Sequence, residues 1–131
     1  MMKTYPVEKT EEEWLAELGE ERYHILRRKG TERPFTGTFN LHKEAGTYTC
    51  GACHVPLFES ASKFDSGCGW PSFDESITGT VEYIRDTTHG MIRTEILCAN
   101  CGSHLGHVFN DGPTATGQRY CVNSASLLFD S

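Results

Sequence analysis

Six cysteines, set out as two C-x-x-C pairs and two singletons, constrain this chain more than any other feature. Cys50 and Cys53 make one pair and Cys98 and Cys101 the other, with 44 residues between Cys53 and Cys98. Two such pairs are the donor set of a closed tetrahedral site, and soft thiolates point to Zn²⁺, with iron the lesser choice. One structural zinc there would staple distant strands, a contribution to folding on the order of 10 kcal/mol. Gly51 within the first turn and Gly102 after the second supply the backbone freedom of such knuckles. Cys98, Cys101, His104 and His107 offer a competing donor set. It is too compact for one ion and would strand Cys50 and Cys53. Cys68 and Cys121 then remain without a structural task, which suggests redox or nucleophilic chemistry.

A length of 131 residues predicts one domain, residues 1–131, with a modest core. A net charge of −6 argues against a nucleic-acid surface, which needs clustered Lys and Arg. No stretch has the length and apolarity of a membrane span, and Met1-Met2-Lys3-Thr4-Tyr5-Pro6 runs straight into charge rather than into a secretory segment. The expectation is a cytoplasmic monomer. In that reducing compartment metal binding or catalysis outranks a disulfide framework. A secreted chain with three structural disulfides is the rival, disfavoured because two C-x-x-C pairs serve a metal better than a scaffold.

Helix signals crowd into the first thirty residues. Thr10 and Glu13 form a capping-box pattern, and Glu11 and Glu12 suit the positive end of a helix. Trp14, Leu15 and Leu18 give an apolar stripe and Gly19 a stop. A second short helix from Glu20 or Glu21 turns Tyr23, Ile25 and Leu26 inward and ends in Arg27, Arg28 and Lys29 before Gly30. From Thr31 onward the pattern is short strands and turns. The best hairpin pairs Thr80–Asp86 with Met91–Cys98 around Thr88-His89-Gly90. Further strands are expected near Tyr48, Leu57-Phe58, Leu105–Phe109, Tyr120–Val122 and Ser126–Phe129. The fold class is therefore mainly β (α+β), antiparallel, with helices at the N-terminus.

Strand alternation places Arg119, Cys121 and Asn123 on one face. A guanidinium beside a thiol favours the thiolate, and an amide can hold a sulfur or a developing oxyanion. Cys121 as a small buried hydrophobe is the plainer reading. His104 and His107 follow the second knuckle directly, where a metal-anchored loop would place an imidazole acid well. Structural histidines near the zinc are the alternative, and it is the preferred one for His24, His42, His54 and His89. Gly67-Cys68-Gly69-Trp70-Pro71-Ser72-Phe73 reads as a tight loop and not a core strand. Cys68 on a movable loop suits a resolving thiol, and Trp70 either walls a small ligand or packs on the core.

Jointly these motifs resemble one family, the B-type methionine-R-sulfoxide reductases (MsrB), over residues of about 10–129. The resemblance rests on Gly30-Thr31-Glu32-Arg33-Pro34-Phe35, Ser66-Gly67-Cys68-Gly69-Trp70-Pro71-Ser72-Phe73, Cys98-Ala99-Asn100-Cys101-Gly102, Gly106-His107-Val108-Phe109, Asp111-Gly112-Pro113 and Arg119-Tyr120-Cys121-Val122-Asn123-Ser124-Ala125-Ser126-Leu127. Asn110 and Leu128 depart from common family residues, Asp and Arg, without touching the expected chemistry. The resemblance implies two small antiparallel sheets with N-terminal helices and a structural zinc on Cys50, Cys53, Cys98 and Cys101, away from the reaction centre. It implies Cys121 as nucleophile and Cys68 as resolving cysteine, His104 and His107 as the active-site histidines, and Asn123, Arg119 and Asp111 as polar support. Trp70 receives the substrate methyl group, with Phe109 beside it in the pocket. It further implies repair of methionine-R-sulfoxide, free or in oxidatively damaged proteins. The route is a Cys121 sulfenic acid and a Cys121–Cys68 disulfide recycled by thioredoxin. Two rivals remain: a non-catalytic zinc-ribbon binding module, and a thiol peroxidase or disulfide oxidoreductase using Cys121 and Cys68.

Overall fold

The computed structural model describes residues 5–131, and of His89 the backbone alone. The opening segment read for a secretory signal lies largely outside the described residues. Thr10 caps α1 (Glu11–Arg27) as expected: its hydroxyl accepts from the Glu13 N–H while the Glu13 carboxylate accepts from the Thr10 N–H. Gly19, at φ 81°, breaks α1 into two helical segments, as its sequence position predicted. Trp14, Ile25 and Leu26 are buried. Leu15 is not: at 40 % exposure it lies beside the stripe and not in it. Its position next to Trp14, about 100° round the helix, takes it off the narrow buried face. The basic end does more than meet a helix dipole. Arg27 donates to the Cys101 carbonyl at 2.8 Å and Arg22 to the Leu127 carbonyl at 3.0 Å, clamping the helix onto strands far away in sequence.

Nine strands follow: β1 (Thr47–Cys50), β2 (Pro56–Glu59), β3 (Lys63–Phe64), β4 (Ser72–Phe73), β5 (Val81–Asp86), β6 (Arg93–Cys98), β7 (His104–Phe109), β8 (Arg119–Val122) and β9 (Leu127–Asp130). They form two antiparallel sheets, β2-β1-β9 and β3-β4-β8-β7-β6-β5. The β5–β6 hairpin pairs Val81 with Cys98 through Asp86 with Arg93. Met91 and Ile92, expected in its second strand, stand outside it, with Ile92 73 % exposed. The larger correction is Ser72-Phe73. Expected in a loop, both residues are fully buried and form β4, between β3 and β8 in the larger sheet.

Phe73 explains why two residues suffice. Its ring stacks on Phe58 of the small sheet at 4.4 Å and meets Tyr48 edge-on at 5.1 Å. Phe58 in turn meets Tyr120 of β8 at 5.7 Å. One aromatic cluster thus joins the sheets. Burial of each such ring contributes about 1.5–3 kcal/mol, with a further aromatic term of about 1 kcal/mol per pair. Trp14 and Leu26 of α1 close the same core over Leu105, Val122 and Leu127.

Candidate active site and metal centre

The two C-x-x-C knuckles meet. The sulfurs of Cys50, Cys53, Cys98 and Cys101 all lie within 4.8 Å of one another, with Cys50 to Cys101 at 3.7 Å and Cys53 to Cys98 at 3.6 Å. A tetrahedral ion with bonds of about 2.3 Å to sulfur requires edges of about 3.8 Å, so the four cysteines fit a zinc ion. The Asn100 amide donates to the Cys53 sulfur at 3.2 Å and the Ala52 N–H to that of Cys50 at 3.4 Å. The knuckles share one device. Four residues after each first cysteine, an N–H donates to that cysteine's carbonyl from a left-handed residue, Gly102 at φ 76° and His54 at φ 70°. Gly51 therefore does not supply the left-handed turn of the first knuckle; His54 does. Gly51 instead lets the backbone approach Ser126, whose carbonyl accepts from the Gly51 N–H at 2.8 Å.

Cys68 and Cys121 meet elsewhere. Their sulfurs stand 3.2 Å apart at one wall of a cavity of about 280 Å³. β4 brings the first: Ser72 pairs with Cys121 across β4 and β8, and the Gly67–Pro71 segment leads directly into it. That segment is tethered on both sides. Trp70 donates its indole N–H to the Glu32 carbonyl at 3.1 Å, the Phe35 N–H donates to the Gly69 carbonyl at 2.7 Å, and the Val122 N–H donates to the Pro71 carbonyl at 3.0 Å. The two sulfurs consequently need no loop travel to touch.

The histidines reach the same cavity through a bulge. In a regular strand His104 and His107, three apart, would face opposite sides. Ile96 pairs with Gly106 but Leu97 with His104, so Leu105 is an extra residue in β7. The bulge sends Leu105 into the core and turns His104 to the cavity beside His107, ring centroids 5.8 Å apart. Asn123 holds it in place: its backbone N–H and its side-chain amide both donate to the Leu105 carbonyl, at 3.0 and 3.3 Å. The Asn123 side-chain oxygen accepts from the Glu32 N–H at 3.1 Å. The residue lines the cavity, yet its amide group is committed to the scaffold and not to the sulfur. Gly106 is obligatory, since a Cβ there would stand 2.0 Å from the Cys121 carbonyl oxygen.

Each imidazole has a carboxylate behind it. His104 Nδ1 lies 2.7 Å from the buried Glu95, which also accepts from Lys29 at 3.1 Å. His107 Nε2 lies 2.8 Å from Asp86, itself paired with Arg93 at 3.3 Å. Burial acts to raise the Glu95 carboxyl, but the His104 and Lys29 hydrogen bonds outweigh it and hold Glu95 ionised. The Thr88 N–H, then His107, hold Asp86 well below the usual carboxylate range. Burial lowers His107 from its ordinary value, with Asp86 opposing. Sequence reasoning did not single out Asp86, Arg93, Glu95 or Thr31. The alternation in β6 did place Arg93 and Glu95 together, but one strand cannot say that this face meets histidines and not solvent.

The thiols divide unequally. Burial, then contact with Cys68 and its charge, push Cys121 up to about 12, against the pull of the Arg119 guanidinium 3.7 Å away. Burial also acts to raise Cys68, but hydrogen bonds to Ser66 and Ser72, among others, outweigh it and bring that thiol to about 7. Arg119 acts in the direction its place in the sequence suggested and is overridden. Asp111 grips Arg119 from outside the cavity, at 2.8 and 3.1 Å, and the guanidinium lies 4.6 Å over the Phe109 ring.

With this geometry in hand, the SelR domain family matches residues 18–131. The chain belongs to that family. A peptide methionine sulfoxide reductase MsrB of Pseudomonas putida is 60% identical over 124 residues, covering 94% of this chain and 93% of the relative. Its namesake in Agrobacterium fabrum is 58% identical over 125 residues, 95% and 93% of the two chains. The one in Leptospira interrogans is 56% identical over 126 residues, 95% and 96%. Among the described residues, no helix of this SelR-domain chain is long and apolar enough to cross a membrane.

Proposed function

We propose that this protein is an oxidoreductase that reduces the R epimer of methionine sulfoxide, free or within proteins, to methionine. One observation carries the reading. Two sulfurs 3.2 Å apart border a cavity of about 280 Å³ that Trp70, His104 and His107 also line. Metal-free thiols able to pair, an aromatic wall and an acid are what sulfoxide reduction requires. Zinc on the four distant-strand cysteines serves the fold and takes no part in the chemistry.

The substrate's methyl group rests against Trp70 while its oxygen points at the imidazoles. Cys121 attacks the sulfoxide sulfur as a histidinium protonates the oxygen, because that sulfur is a poor electrophile until the oxygen gains a proton. His107 is the preferred acid: it lies directly across the strand pair from Cys121. The high value of Cys121 sets a condition on this step. Its proton passes to the Cys68 thiolate across the sulfur contact as attack proceeds, and Arg119 stabilises the charge that develops. The hydroxyl then passes to the Cys121 sulfur as the substrate S–O bond and the new Cys121–sulfur bond both break, which releases methionine and leaves Cys121 as a sulfenic acid. Cys68 then attacks that sulfur, water departs, and a Cys68–Cys121 disulfide forms. A thioredoxin-type dithiol restores the two thiols. The working state is a cytoplasmic monomer of one domain.

Incubation with each sulfoxide epimer and a dithiol tests the proposal. Methionine from the R epimer alone, and none from a Cys121→Ser chain, is the expected result. Consumption of peroxide with no epimer preference would replace it with a thiol peroxidase.

A further inference from the structure

A second concavity adjoins the substrate pocket. It has a volume of about 530 Å³ and is bordered by Tyr83, Ile84, Arg85, Ile92, Arg93 and Phe109, among others. Arg93 and Phe109 border the inner cavity as well, so one surface runs from the sulfur pair out to β5, the end strand of the larger sheet. Resting on the reductase reading, we infer that this groove is a second subsite for polypeptide substrates. It seats the chain on one side of the oxidised methionine, taking an apolar side chain two positions away and a carboxylate beyond it.

The apolar part lies outside the reach of a free amino acid. Tyr83, Ile84 and Ile92 are exposed, and none of them borders the inner cavity. Apolar side chains gathered beside a pocket gain from being covered. The groove is also set before any ligand arrives. The Tyr83 hydroxyl stands 2.6 Å from that of Tyr120, and Arg93 donates to Asp86 at 3.3 Å. A surface fixed in advance loses little freedom on binding.

Charge and strand geometry select the occupant. The chain carries a net charge of −6, yet the groove is bordered by two arginines and, among the described residues, by no carboxylate. Arg93 is paired with Asp86, whereas Arg85 is exposed and has no ion-pair partner among the described residues. An acidic segment repelled by the rest of the surface is accepted here. An extended chain alternates its side chains and advances about 3.3 Å per residue. With the oxidised methionine directed into the inner cavity, the residue two positions away points the same way, about 7 Å along. That residue meets the apolar groove, and a carboxylate further out meets Arg85.

Steady-state kinetics on defined peptides test the subsite, with dithiothreitol as reductant so that no partner protein enters. The reference substrate is Glu-Leu-Ser-MetO-Ser-Leu-Glu carrying the R sulfoxide. Two companions replace leucine by serine or glutamate by lysine, and free methionine-R-sulfoxide is the control. Wild-type kcat/KM should be about tenfold higher for the reference peptide than for the serine peptide and about threefold higher than for the lysine peptide. Ile92→Ser should raise KM for the reference peptide about fivefold, and Arg85→Glu should invert the order of the glutamate and lysine peptides. Both variants should keep kcat/KM for the free amino acid within about twofold, since neither residue borders the inner cavity. Equal wild-type values for the three peptides would overturn the inference. So would variants that leave the peptide values unchanged, or that lower peptide and free amino acid alike. A wild-type chain that forms no methionine from the free R epimer instead refutes the reductase reading beneath it.

Discussion

The molecule carries sulfur in two settings that differ only in their surroundings. At the knuckles, four cysteine sulfurs lie within 4.8 Å of one another, with the Cys50–Cys101 and Cys53–Cys98 contacts across the facing turns at 3.7 and 3.6 Å, three of the cysteines buried and N–H groups turned onto the sulfurs. At the cavity, two half-buried cysteines stand 3.2 Å apart with an opening to one side, an arginine, and two carboxylate-backed imidazoles. Enclosure and number make a thiol group into a metal ligand. Access and a proton donor leave it free to react. The same side chain serves structure or chemistry according to what the neighbouring strands present.

The contrast breaks most visibly at the knuckles. Cys50→Ser should release the bound zinc, measured by metal analysis, and cost on the order of 10 kcal/mol, enough to unfold the chain in a circular-dichroism melt. Cys121→Ser, by contrast, should keep its zinc and its melting temperature while methionine formation falls to background. If the serine variants exchanged these outcomes, the two settings would have been misassigned. Gly106→Ala should fall between them. It pushes a methyl group against the Cys121 carbonyl and should destabilise by about 1–3 kcal/mol, with loss of first-turnover rate.

Smaller effects sharpen the comparison. Cys68→Ser should spare the first turnover in part but stop recycling by thioredoxin. It also removes the contact and charge that raise Cys121, so ultraviolet thiolate absorbance should place Cys121 well below its value of about 12 in the parent chain. In the parent chain, alkylation of Cys68 should rise with pH and reach half its plateau near 7. The thiolate form is the reactive one, and it accumulates above that value. In the proposed mechanism His107, lowered by burial, acts protonated and Cys68, near 7, acts as the thiolate, so first-turnover rate should pass through a maximum and fall above about 7. A rate that keeps climbing above that value would remove His107 as the acid.

Much of the scaffold was legible in local chemistry. The Thr10–Glu13 cap, the break at Gly19, the turn at Thr88–Gly90 and seven of the strands follow from spacing and turn residues alone. Two strands were not legible. β3 and β4 contain two residues each, too few for a period-2 pattern, and exist because neighbouring strands supply their partners. Leu15 and Ile92 show the opposite failure: apolar residues whose place is set by the edge of a buried face.

The cysteine spacing by itself determined that one set of thiols could hold a metal and that another pair stood apart, because ligand geometry is written in the intervals between donors. Motif order likewise identified the residues around Cys121. Only the tertiary structure decided that His104 and His107 share a wall, since that depends on one extra residue in β7 and on Asn123 fixing its carbonyl. Only it assigned Glu95 and Asp86 to those imidazoles and gave the lower value to Cys68 and not Cys121. Register, burial and the distance between charges arise from strands packing across the chain, and no local stretch of sequence contains them.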